Sequence, residues 1–91
     1  MENLLPRFVI LKDGAIKQIF PTSIFLSGKS IVFYNEGTNI EEKLSFRNEE
    51  TAEAAFEQLW PLCGRSNPVY VSITEFEDEE EGTVNVKVSA L

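Results

Sequence analysis

Residues 40–60 read Ile40-Glu41-Glu42-Lys43-Leu44-Ser45-Phe46-Arg47-Asn48-Glu49-Glu50-Thr51-Ala52-Glu53-Ala54-Ala55-Phe56-Glu57-Gln58-Leu59-Trp60, and the spacing of apolar residues changes partway through. Ile40, Glu42, Leu44 and Phe46 alternate with Glu41, Lys43 and Ser45, the period-two signature of a strand with one buried face. After Asn48 the apolar positions become Ala52, Ala55, Phe56, Leu59, Trp60 and Cys63, which fall on one helical stripe. Asn48 can cap a free N–H, and Glu49 and Glu50 suit the positive end of the helix dipole. Pro61 disfavours helical geometry at Trp60 and ends the helix there, with Gly64 supplying a turn.

Upstream of this switch the chain reads as short strands separated by turn residues. Phe8 to Leu11, the turn Lys12-Asp13-Gly14-Ala15 and Ile16 to Phe20 form one strand pair, closed by Pro21. Ile24 to Leu26, Ser27-Gly28-Lys29-Ser30 and Ile31 to Tyr34 repeat the pattern, and Asn35 to Asn39 turn into the strand at Ile40. Downstream, Val69, Val71 and Ile73 alternate with Tyr70, Ser72 and Thr74, and Val84, Val86 and Val88 repeat the alternation.

The expected fold class is therefore α+β: a single small domain, 1–91, with a mostly antiparallel sheet of about six or seven strands. A β-meander of four to five strands fills 1–47, the helix segment is 48–63 with its amphipathic part at about 49–60, and a C-terminal β-hairpin with an acidic tip at 75–81 fills 68–91. The helix is expected to pack across a sheet face through Ala52, Ala55, Phe56, Leu59 and Trp60.

Composition narrows the chemistry. The 91 residues include no His and one Cys, which removes the usual metal ligand and general base and forbids an internal disulfide. Gly28-Lys29-Ser30 matches only the tail of a phosphate-binding loop, because position 23 is Ser where that loop needs Gly and the following residues read as strand. The acids at 75–81 lack the ligand spacing of a calcium loop. Cys63, beside Leu59 and Trp60 on the stripe, reads as a structural thiol. No enzyme activity, cofactor or metal is expected. The first residues lack the pattern of a signal peptide, and the longest apolar runs are far too short to cross a bilayer, so a cytoplasmic location without membrane contact is expected.

The net charge of −7 is unevenly spread. Residues 1–47 hold six cations against five anions, whereas 48–91 hold two cations, Arg65 and Lys87, against ten anions. Glu49, Glu53 and Glu57 fall four residues apart on the helix, and Glu75, Glu77, Asp78, Glu79, Glu80 and Glu81 crowd the hairpin tip. These nine acids form a candidate surface for a basic partner. Val84, Val86 and Val88 lie on a last strand whose one charge is Lys87, and its edge is a candidate for pairing with a partner strand.

The leading functional expectation is thus a non-catalytic protein-interaction or structural module, an accessory subunit of a larger assembly or a homo-oligomer. The second is a nucleic-acid-related protein. In one version it binds single strands through the interleaved pairs Arg7–Phe8, Lys17–Phe20 and Lys29–Phe33–Tyr34; in the other its acidic rows mimic DNA and inhibit a DNA-binding protein.

Overall fold

Two tight turns define the first hairpins. At the first, Asp13 and Gly14 both have positive φ (54° and 78°), the backbone that matches the twist of the flanking strands, and Asp–Gly is the pair that tolerates it. They join β1 (Phe8–Lys12) to β2 (Ala15–Ile19). At the second, Gly28 joins β3 (Ser23–Ser27) to β4 (Ser30–Asn35), and β5 (Ile40–Ser45) completes the first half. Gly28-Lys29 is therefore a hairpin turn. The helix α1 (Glu49–Leu59) runs into a 3-10 turn, Trp60–Gly64, and is followed by β6 (Val69–Asp78) and β7 (Thr83–Ala90). The computed structural model describes residues 5–64 and 67–90. Arg65, counted above among the cations, lies outside them.

The class is α+β, with seven strands in two mostly antiparallel sheets. The expected continuous meander is split. β1 and β2 belong to a four-stranded sheet of order β2-β1-β6-β7, and β3, β4 and β5 form a separate three-stranded sheet. Pro21 lies at the break. It has no N–H to give a ladder, and the next residue ties the chain to the second sheet instead: Thr22 N–H and its hydroxyl both donate to Tyr34 O, at 2.7 and 3.2 Å.

β1 pairs antiparallel with β2 and parallel with β6, in the register Phe8↔Val69, Ile10↔Val71, Lys12↔Ile73. A parallel neighbour needs a long crossover, here the entire second sheet and the helix. Two of the uninterrupted apolar runs, Phe8 to Leu11 and Ile31 to Phe33, sit on β1 and β4, which like β6 have a strand on both edges. The inner faces of both sheets share one core, in which Phe8 and Phe33 meet at 5.6 Å between ring centroids.

Asn48 caps the helix as its sequence suggests, its Oδ1 accepting from Thr51 N at 2.7 Å and from the Thr51 hydroxyl at 2.7 Å. Thr51, Ala52, Ala55 and Leu59 are buried. The expected placement across a sheet face is corrected: α1 packs chiefly along β7, with further contacts to β4 and β3. Phe56 is only half-buried and Trp60 is 53% exposed. The 3-10 turn begins at Trp60, where Pro61 interrupts the α-helix, and the indole stands outside the core.

Candidate interaction surface

The nine candidate acids occupy three different environments. Glu75 is withdrawn from the surface, because β6 alternates through it and puts it on the inner face with Val69, Val71 and Ile73. Its Oε1 lies 3.1 Å from Lys12 Nζ, its Oε2 accepts from Arg47 N–H at 2.9 Å, and both side chains of the ion pair are only 9% exposed. Lys12 Nζ also reaches Asp13 Oδ2 at 2.8 Å and lies 5.0 Å from the centre of the Phe46 ring. Burial acts to lower the Lys12 pKa, but the hydrogen bonds to Asp13 and Glu75 and then the charges of these carboxylates outweigh it, so the ammonium is held above its ordinary value.

The expected solvated tip at 75–81 is also shorter than its acidity suggests, since β6 stays in register with β7 as far as Asp78↔Thr83. Cross-strand pairing outweighs the like-charge repulsion that favoured a loop. Glu77 pairs with Arg47 Nη1 at 3.0 Å, and Asp78 Oδ1 accepts from Glu80 N–H at 3.0 Å while Gly82 N–H donates to Asp78 O at 2.7 Å. Glu79, Glu80 and Glu81 are exposed in the turn.

Glu49, Glu53 and Glu57 stand exposed on α1, away from its buried face. Beside them Phe56 and Trp60 stack, centroids 5.8 Å apart and planes within 19°. A stack of half-buried Phe56 on exposed Trp60, flanked by a row of carboxylates, thus occupies one side of the helix. Sequence reasoning put both rings in the core; Phe56 packs against it as a partly buried ring, whereas Trp60, one turn on, is exposed.

The β7 edge does not match its expected open state. Gln58 Nε2 donates to Val86 O at 3.0 Å and its Oε1 accepts from Val88 N–H at 3.1 Å, while the Thr51 hydroxyl, whose proton goes to Asn48 Oδ1, lies 3.4 Å from Val84 O. A single glutamine amide here imitates the alternating bonds of a neighbouring strand. Val86 is buried, with Val84 and Val88 half-buried.

The free edges lie elsewhere. β2 ends the first sheet and β3 and β5 end the second, and β2 approaches β5 through Lys17 and Glu42, Nζ to Oε2 3.8 Å. Between them a cleft of about 310 Å3 opens over Ile19 and Phe33, rimmed by Phe20 and Ile40.

The basic–aromatic set on the meander is largely dissolved. Phe8 and Phe33 are in the core, Lys17 is engaged by Glu42, and the Tyr34 hydroxyl donates to Asn39 Oδ1 at 2.8 Å. One cation–ring contact does stand at the surface, Arg7 Cζ 5.8 Å from the centre of Phe20, a pairing the sequence reading did not single out. The signal for it was the register, since Phe8↔Ile19 extended by one residue sets Arg7 opposite Phe20.

Burial pushes the Cys63 thiol up from its ordinary pKa, and its Sγ lies 3.9 Å from Leu59 O. Such a thiol is a weak nucleophile. Among the described residues no three Cys, Asp or Glu side chains come together in a set that could hold a metal ion, and no helix is long and apolar enough to cross a membrane. No family model matches the chain, and neither a curated protein nor a solved structure is significantly similar to it.

Proposed function

We propose that this chain is a non-catalytic protein-interaction module, an accessory subunit that docks a basic partner on the outer side of α1. The observation that supports the reading is the Phe56–Trp60 stack, with Trp60 53% exposed, alongside Glu49, Glu53 and Glu57. Exposed aromatics are the residue types that dominate binding energy when a partner covers them, and charged residues around them set orientation and on-rate. No Lys or Arg lies between Asn48 and Gly64 to offset the carboxylates, so the face is complementary to a surface carrying Lys or Arg around an apolar patch. Glu79, Glu80 and Glu81 add to the acidic field. A reducing compartment such as the cytoplasm suits the lone thiol of Cys63.

Affinity capture from the source cells tests this. The wild-type chain is expected to retain a protein with a basic surface, and the triple variant Glu49→Lys, Glu53→Lys, Glu57→Lys is expected to lose it while remaining folded, its denaturation midpoint lowered only slightly by the cation at the helix start. Equal capture by both, or a strict monomer that retains nothing, counts against the proposal.

A further inference from the structure

Apart from the helix face, Arg7 lacks the acidic partner that the other engaged cations have. Lys12, Lys17, Lys43 and Arg47 each lie within salt-bridge distance of a carboxylate, whereas Arg7 has none among the described residues. Its backbone is fixed at both ends: Arg7 N–H donates to Asn67 Oδ1 at 2.9 Å and Val69 N–H donates to Arg7 O at 2.7 Å. Its guanidinium lies against the Phe20 ring, and its Nε is buried with no hydrogen-bond partner. A guanidinium without a carboxylate partner favours an acceptor brought to its open N–H groups.

Arg7 lines a cavity of about 470 Å3 together with Phe20, Pro21, Thr22, Asn35 and Asn67. Among the described residues no acidic side chain lines it, in a chain that carries 15 acids. Thr22 and Asn35 already use their side chains within the fold: Thr22 Oγ1 accepts from Glu36 N–H at 3.1 Å, and Asn35 Nδ2 donates to Phe20 O. Among the described lining residues, Arg7 therefore supplies the charge of the cavity.

We propose that this cavity is an oxyanion site, in which Arg7 receives a carboxylate or phosphate group through paired N–H donors while the Phe20 ring holds the guanidinium plane. The arginine fork matches two oxygens of either group, and both classes of ligand share that chemistry.

The test is an NMR titration following the Arg7 Nε–Hε signal in the full chain, with inorganic phosphate and acetate in separate arms and sodium chloride as the ionic-strength control. A saturable shift is expected in at least one arm and not with chloride; the stronger arm identifies the oxyanion. Arg7→Lys keeps the charge and the backbone bonds but removes the fork, and is expected to weaken binding at least about tenfold, the loss of one charge-assisted hydrogen bond. For the Lys variant the shifts of neighbouring amides, Phe20 and Asn67, provide the readout. Lys29→Gln removes an equal charge from the turn and is expected to leave the affinity unchanged. The proposal is overturned if neither oxyanion saturates the signal, if chloride shifts it equally, or if Arg7→Lys and Lys29→Gln behave alike.

Discussion

Lys12 Nζ sits 3.1 Å from Glu75 Oε1 at the end of the shared core, and Glu75 also holds Arg47 N–H, so one carboxylate links β1, β6 and the segment that leads into the helix. Removing its charge leaves a covered ammonium with Asp13 as its one remaining carboxylate. Glu75→Gln is expected to destabilise the fold by about 1–3 kcal/mol, below the usual range for breaking a fully buried pair because Asp13 stays. Urea denaturation of the two proteins measures it, and an unchanged midpoint contradicts this role for Glu75.

The same pair sets an alkaline limit. The folded-state pKa of Lys12 is raised, so its contribution to stability is complete below the ordinary value of 10.5 and is lost as pH rises through the higher folded value. Thermal melts in increasingly alkaline buffer are expected to show a fall in that window which Lys12→Met makes shallower. Parallel curves for the two proteins contradict it.

Gln58 shields the β7 edge through Val86 O and Val88 N–H. Gln58→Ala leaves both backbone groups without that partner and is expected to cost about 1–2 kcal/mol. It also bares a strand edge, so concentration-dependent self-association is expected by sedimentation. Monomeric behaviour with unchanged stability contradicts the shielding role.

Asn48 caps α1 by accepting from the Thr51 N–H and hydroxyl. Asn48→Ala is expected to cost about 1 kcal/mol, and Asn48→Asp is expected to restore most of it. Denaturant midpoints of the three proteins check the order.

Much of this arrangement was legible from phase. Lys12 follows Phe8 and Ile10 at period two, and Glu75 follows Val71 and Ile73, so the alternation extends to both charges, although Lys12 read as a turn residue and Glu75 as part of the acidic tip. Grouping Glu75 with its acidic neighbours at 77–81 by composition obscured that. The Asn48 cap and the Asp13-Gly14 turn were legible because each depends on a few consecutive residues.

Strand partners were not legible in the same way, since alternation identifies a face without naming a neighbour. The parallel pairing of β1 with β6 brings together residues about 60 positions apart, and only the uninterrupted apolar run at Phe8 to Leu11 hinted that β1 is a central strand. Trp60 keeps α geometry (φ −54°, ψ −45°, its N–H on Phe56 O), but at 3.6 residues per turn it falls at the margin of the stripe beside Glu53, away from Thr51, Ala55 and Leu59. Gln58 gave no signal at all, because a polar residue on a helix is ordinary until a strand edge lies beside it.

In the proposed complex a partner covers Trp60. The chain has one Trp, so 5-fluorotryptophan incorporated biosynthetically gives a single 19F resonance that reports this position alone. On adding the captured basic partner, the account predicts that this resonance shifts and broadens, and that the change is absent with the Glu49→Lys, Glu53→Lys, Glu57→Lys variant. A resonance that stays in place while sedimentation shows the wild-type complex has formed contradicts it.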